Sequence, residues 1–161
     1  MSMLEWWELA SYVVTCFGFP YAILILMYEN YRERQNEDEE LYQALAEEYA
    51  KFGNLLIENA DLQLMTDPLT DDALSPEQRE RKTIIFEMLV SLFERAFILV
   101  YEDKMDAKTK RLWATWEDYI VFWCNRDDFK RVLPALLVGE DHEFVEYMDR
   151  VQLQVKMGRT A

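Results

Sequence analysis

The sequence predicts an all-α protein in which one N-terminal transmembrane helix continues into a cytoplasmic helical bundle. Three observations favour this class: apolar side chains recur at helical spacing, no strand-like alternation bounded by hairpin turns occurs, and one run of twenty residues carries no charge. We expect a membrane anchor and stalk at 1–35, a helical bundle at 36–157 and a frayed tail at 158–161.

The uncharged run covers residues 9–28 and reads LASYVVTCFGFPYAILILMY. About 20 apolar residues cross the hydrocarbon core of a bilayer, so the length predicts a membrane span, with a buried core helix as the alternative. Trp6 and Trp7 before the run, and Tyr28 and Tyr31 at its end, are predicted to anchor it at the two headgroup layers.

The charges beside the run predict its orientation. No Lys or Arg precedes it, whereas Arg32 and Arg34 follow closely. Because positive residues favour the cytoplasmic side, we expect the N-terminus outside the membrane and the helical domain in the cytoplasm.

One face of the predicted span is rich in small or polar residues at heptad spacing. Its members are Glu8, Ser11, Thr15, Gly18, Ala22, Ile25 and Glu29. Since small residues let helices approach closely in lipid, we interpret this stripe as a face for helix association or for lining a pore. Alternatively, Ser and Thr bond their own helix carbonyls, and Gly18 with Pro20 marks a kink. Pro20 is predicted to bend the helix under either interpretation.

The helical bundle begins with an amphipathic helix and a loop. Apolar side chains recur from Leu41 to Leu56, and residues 61–75 carry Pro, Thr and Asp as loops do. Ser75, Pro76 and Gln78 then form a predicted capping box, which starts an apolar central helix. Along that helix, Glu87, Glu94 and Arg95 are expected to form a structural ion pair.

Three further helices complete the predicted bundle. The first begins at Asp106 and places an aromatic stripe towards the core: Trp113, Trp116, Tyr119, Ile120 and Trp123. A short helix bent near Pro134 follows, Gly139 ends it, and the last helix runs from about Asp141 to Lys156.

The C-terminal half resembles a bacterial family of single-span proteins whose helical domain has no known function. The similarity lies in LWATWEDYIVFWCNRDDFKRVL and EFVEYMDRV, where Trp113, Trp116, Asp128, Phe129 and Lys130 stand at matching places. It implies a bacterial inner (plasma) membrane protein without a known activity. The architecture is also similar to small accessory and effector proteins of bacterial defence systems that assemble into rings.

The charge of the chain disfavours a nucleic-acid partner, and the positions of its cysteines disfavour a disulfide. The formal net charge of −14 repels phosphate backbones, so we expect no nucleic-acid partner. The two cysteines, Cys16 in the uncharged run and Cys124 in the aromatic helix, lie in settings too different for a disulfide.

The search for catalytic residues predicts no enzyme, no cofactor and no metal site. His142 is the single histidine, and no partner stands at the spacing of a zinc or di-iron site. It is interpreted as a solvated residue in the first turn of the last helix. The remaining alternative is an unrecognised hydrolase or nuclease that uses His142 or Glu87.

These observations predict a membrane-anchored scaffold or accessory subunit that acts through assembly. The expected partners are membrane lipid and either further copies of the chain or another membrane protein. The alternative is a homo-oligomeric ring or pore whose subunits pack through the small-residue stripe.

Overall fold

A computed structural model describes residues 3, 6, 7, 19–66, 68 and 70–158, and these residues form α-helices without any β-strand. The all-α prediction is therefore confirmed for the described part of the chain. The helices are α1 (Phe19–Glu58), α2 (Pro76–Val100), α3 (Ala107–Cys124), α4 (Asp127–Leu136) and α5 (His142–Lys156). Two single 3₁₀ turns, Ala60–Leu62 and Asp71–Ala73, lie between α1 and α2.

The chain forms two units, Met1–Ala44 and Leu45–Ala161. The first contributes an exposed helical segment, and the second contains the hydrophobic core. The predicted domain limits at 35/36 and 157/158 stay a prediction.

The predicted membrane location is wrong. Among the described residues, no helix combines the length and the apolar character that crossing a bilayer requires. The physical reason is that α1, as described, offers only the uncharged residues 19–28 before Glu29, whereas a span needs about 20. The first half of the predicted span, 9–18, lies outside the described residues. The predicted placement in a bacterial inner membrane, with the N-terminus outside and the helical domain in the cytoplasm, depended on this span and is therefore wrong as well.

The core of the second unit is built around Trp123, which is fully buried on α3. Its ring meets Phe52, Phe86 and Phe129 in edge or tilted contacts, with ring centroids 5.9, 6.0 and 6.1 Å away. Such aromatic pairs contribute beyond their buried area because the positive edge of one ring meets the negative face of another. One side chain therefore joins α1, α2, α3 and α4.

The predicted aromatic stripe on α3 faces this core. Trp113, Trp116, Ile120 and Trp123 are buried, and the half-buried Tyr119 stacks on Tyr49 with ring centroids 3.9 Å apart. The stripe was predictable because its period is that of a helix with one buried face.

The starts of the helices α2, α3 and α5 also agree with those predicted from the sequence. Ser75 accepts from the backbone N–H of Gln78, and the Gln78 side chain accepts from the backbone N–H of Ser75, which is the predicted capping box. Asp106 caps α3 by accepting from Thr109 N at 2.7 Å, and Asp141 caps α5. Pro134 lies inside α4, and Gly139 has φ +100° in the turn that follows. Glycine suits that turn because side chains disfavour positive φ.

Candidate functional site

The structure describes only part of the predicted association face. The residues it includes all lie on exposed helix: Trp6, Trp7, Pro20, Ala22, Ile25, Tyr28, Glu29 and Tyr31. Glu8, Ser11, Thr15 and Gly18 fall outside the described residues. Their role in helix association, and the kink at Pro20, stay predictions.

Exposure is uniform along the first part of α1. Every described side chain in residues 20–33 is exposed. Eight of these are large apolar or aromatic side chains: Tyr21, Ile23, Leu24, Ile25, Leu26, Met27, Tyr28 and Tyr31. We call residues 20–33 the apolar segment. Monomeric proteins rarely expose a contiguous apolar surface of this kind, so the apolar segment is a candidate interaction surface.

Three charged side chains are buried together in the second unit, and we call them the buried cluster: Lys82, Arg126 and Asp128. Lys82 Nζ lies 2.8 Å from Asp128 Oδ2, and Arg126 binds both carboxylate oxygens, from Nη2 at 3.0 Å and from Nε at 3.1 Å. Arg126 Nη1 also donates to the carbonyl oxygen of Thr66. One carboxylate thus pairs with two buried cations.

The helices α2 and α4 position the members of the buried cluster. Arg126 precedes the first residue of α4, and Asp128 lies in the first turn, where the positive end of the helix favours a carboxylate. Lys82 lies on the face of α2 that also buries Ile85, Phe86 and Leu89. The prediction of functional residues missed this cluster. The one signal in the sequence was Lys82, a charged residue at a position where the helical period predicts a buried apolar side chain.

The environment of Asp128 favours its ionised form. Burial raises the pKa of this carboxyl, but the hydrogen bonds and the positive charges of Arg126 and Lys82 together lower it more, so the net shift of the pKa is downward. Asp128 is therefore a carboxylate at neutral pH and serves as a structural anion.

A small cavity adjoins the buried cluster. Its volume is about 150 Å³, and its lining residues are Arg79, Lys82, Thr83, Phe86, Asp128, Arg131 and Val132. The charged residues in this lining are Arg79, Lys82, Arg131 and Asp128. We call it the basic cavity, and it stands out in a chain whose formal net charge is −14.

A larger groove of about 620 Å³ lies between the end of α1 and α2. Glu87 and Arg95 line it and are exposed, so Glu87 is not a buried acid. Glu94 instead accepts from the backbone N–H of Asp141 at 2.6 Å. The predicted grouping of these three residues as one ion pair is wrong, because Glu94 points to the start of α5. The groove lining contains no histidine or cysteine.

Aromatic rings also line a cavity of about 450 Å³ between α3 and α5. Trp113 meets Tyr101 and Tyr147 edge to face, with ring centroids 5.2 and 5.5 Å apart. The guanidinium carbon of Arg150 lies 5.7 Å from the ring centroid of Tyr147. The side chain of Arg150 therefore already covers the aromatic face that an organic cation would use.

The thiol and the imidazole lie apart from these cavities. Cys124 is fully buried, and burial raises the pKa of its thiol to about 12. His142 is exposed in the first turn of α5, as predicted, with Nδ1 3.7 Å from Glu146 Oε1. Within the described residues, no three His, Cys, Asp or Glu side chains are grouped closely enough to hold a metal ion.

Two carboxyl groups meet where the chain enters α5. A hydrogen bond with Glu94 raises the pKa of Glu140, and burial and the Glu94 charge act in the same direction. Because the pKa of Glu140 is raised in the folded state, this carboxyl stabilises the fold most below its unfolded pKa of about 4.3. That stabilisation is lost as the pH rises through the raised pKa.

We therefore expect Glu140→Gln to increase the free energy of unfolding at pH 7, because an uncharged amide can donate to Glu94 at any pH. The gain should disappear near pH 4. Urea unfolding of both proteins at the two pH values measures the difference, and Glu80→Gln, an exposed acid on α2, is the control. A Glu140→Gln protein that is less stable than wild type at pH 7 would contradict the expectation.

Comparison with known proteins gives no relative for this chain: no family model, no curated protein and no solved structure matches it. The resemblance of the Trp113 and Asp128 regions to a bacterial family stays a prediction.

Proposed function

We propose that this chain acts by assembly, as a scaffold or accessory subunit, and that the apolar segment joins one copy of the chain to another. The observation that carries the proposal is the exposure of eight large apolar and aromatic side chains between residues 20 and 33. Apolar surface in contact with water is costly, and surfaces of this kind mark sites of association.

A second copy suits the apolar segment by the spacing of its apolar residues. The segment contains a row at alternating spacings of three and four residues, which two helices can pack together along one seam. This row consists of Tyr21, Leu24, Tyr28 and Tyr31.

Assembly should be sensitive to single substitutions in this row, because the free energy gained by burial is close to the free-energy cost of association. Fully burying one large apolar side chain contributes roughly 1.5–3 kcal/mol. Half-burying the four row side chains of two copies therefore contributes about 6–12 kcal/mol, against an association cost of about 4–15 kcal/mol. Because the two ranges overlap, one charge within the row should shift the equilibrium to the single chain.

The test is the molar mass in solution, measured by light scattering after gel filtration. We expect the wild-type chain to form a defined oligomer and Leu24→Glu to reduce it to single chains. Val138→Glu is the matched control, because Val138 is 82% exposed in the loop after α4 and lies outside the apolar segment. This control should keep the wild-type mass.

Two results would contradict the proposal. One is a wild-type chain that remains single at the highest soluble concentration. The other is an oligomer whose mass Leu24→Glu leaves unchanged, because the contact would then lie elsewhere. The measured mass also decides between a pair and a closed ring.

A further inference from the structure

We infer that α2 forms a second contact between copies of the chain, by packing antiparallel against α2 of another copy through an exposed face centred on Ser91. The inference rests on the proposed function in that copies must assemble, and it adds a contact that uses no residue of the apolar segment. We call this surface the α2 face, and its residues are Ile84, Glu87, Met88, Ser91, Arg95 and Ile98.

The helix α2 carries apolar side chains on two sides. One side faces the core, where Leu89 and Phe93 are fully buried. On the α2 face, Ile84, Met88 and Ile98 are 48%, 51% and 60% exposed. A helix of a soluble protein that is apolar on all sides is normally buried on all sides, so the α2 face is expected to be covered by a partner.

The α2 face borders a recess that another helix can enter. Except for Ile98, all of its residues line the groove of about 620 Å³ between α2 and the end of α1. Phe52, Leu55 and Leu92 add apolar surface to the same groove. All of these residues belong to the second unit, Leu45–Ala161. A helix packed against α2 would therefore cover apolar side chains from both walls of the groove.

The α2 face is complementary to itself when two copies run antiparallel about Ser91. Ile84 and Ile98 stand seven residues before and after Ser91. Glu87 and Arg95 stand four residues before and after it. A two-fold axis at Ser91 therefore places Ile84 of one copy beside Ile98 of the other, and Glu87 beside Arg95. Each contact forms twice, because an isologous interface uses the same residues of both copies.

The charges of the α2 face favour a second copy in this orientation. Glu87 and Arg95 are eight residues apart, about 12 Å along the helix axis, which is too far for a salt bridge within α2. In the antiparallel pair they stand level with each other across the interface, where opposite charges attract. A parallel pair would instead place Glu87 beside Glu87 and Arg95 beside Arg95, and like charges repel.

The α2 contact should be weaker than the contact of the apolar segment. The α2 face offers three large apolar side chains per copy, whereas the apolar segment offers eight. We therefore expect the α2 contact to form between copies that the apolar segment has already joined, where the effective concentration of the second α2 is high.

The experiment is disulfide cross-linking of full-chain variants that carry Cys16→Ser, in which the remaining native thiol, Cys124, is buried. Ser91→Cys should form covalent dimers under mild oxidation, because facing Cα atoms of packed helices come within the roughly 7 Å that a disulfide allows. Glu80→Cys is the matched control. It is exposed on the same helix, but in the antiparallel pair its two copies stand about 33 Å apart along the axis.

We expect Ser91→Cys to cross-link at least about tenfold faster than Glu80→Cys, as measured by gel electrophoresis without reductant. Glu87→Arg and Arg95→Glu should each slow the cross-linking of Ser91→Cys about tenfold, because each places two pairs of like charges across the axis. The double variant restores both pairs of opposite charges and should restore the rate. Circular dichroism verifies that each variant is folded.

The inference is overturned if Ser91→Cys cross-links no faster than Glu80→Cys, or if the double charge variant is as slow as the single variants. The mass of the Leu24→Glu chain separates this failure from that of the proposed function. If Leu24→Glu lowers the mass but Ser91→Cys does not cross-link specifically, the α2 contact alone is wrong. If Ser91→Cys cross-links specifically but Leu24→Glu leaves the mass unchanged, the α2 contact is supported and the role of the apolar segment is wrong.

Discussion

Asp128→Asn is expected to lower the free energy of unfolding by about 3–5 kcal/mol, because it leaves two buried cations without their carboxylate. The asparagine can still accept one hydrogen bond, but it carries no charge to offset Lys82 and Arg126. Since whole domains are stable by only about 5–15 kcal/mol, this single change removes a large share. Urea unfolding at pH 7 measures the loss.

The neighbouring residue provides a matched control. The side chain of Asp127 is 89% exposed and pairs with Lys130 at the surface, so Asp127→Asn should change stability by less than about 1 kcal/mol. Equal losses from the two substitutions would contradict the role assigned to the buried cluster.

The effect of Asp128 also depends on pH. Its pKa is lowered in the folded state, so its stabilisation is complete above the unfolded pKa of about 3.9. It is lost as the pH falls through the folded pKa. The stability difference between wild type and Asp128→Asn should therefore be largest near neutral pH and should shrink in acid.

Trp123→Ala is the second substitution with a large expected effect, a loss of about 3–5 kcal/mol in the free energy of unfolding. The indole contacts rings from three other helices, so its removal leaves a cavity among them. Thermal and urea unfolding both report the loss. If Trp123→Ala does not fold, Trp123→Phe should fold with a smaller loss, because a ring remains.

The control for Trp123 is the adjacent position. Phe122 is 43% exposed, so Phe122→Ala should cost much less than the tryptophan substitution. A Phe122→Ala protein as unstable as Trp123→Ala would indicate that general helix loss, rather than the core contact, determines the result.

Local signals account for what the sequence predicted correctly. The capping box at Ser75 needs only residues three positions apart, and the α3 stripe needs only the helical period. Both are therefore independent of how the helices meet. The class and most helix starts follow from such signals.

The buried cluster could not be predicted in the same way, because Lys82 and Thr66 are far along the chain from Arg126 and Asp128. Lys82 and Asp128 meet only when α2 packs beside α4, and Thr66 reaches Arg126 from the loop after α1. Sequence distance gives no measure of such contacts. Glu94 was misassigned for the same reason, since its partner in space is the backbone of Asp141.

The membrane prediction failed for a different reason. It counted uncharged residues along 9–28, but only 19–28 belong to the described part of α1, and Glu29 follows at once. A span requires about 20 apolar residues within one helix, and the described part of α1 supplies ten before Glu29.

The buried thiol of Cys124 can be used to measure local unfolding of the chain. Cys124 has no exposed surface, and its raised pKa leaves almost no thiolate at neutral pH. A thiol reagent can therefore modify it only in molecules whose α3 has left the core. In a Cys16→Ser variant, the rate at which the reagent modifies Cys124 therefore measures how often α3 leaves the core.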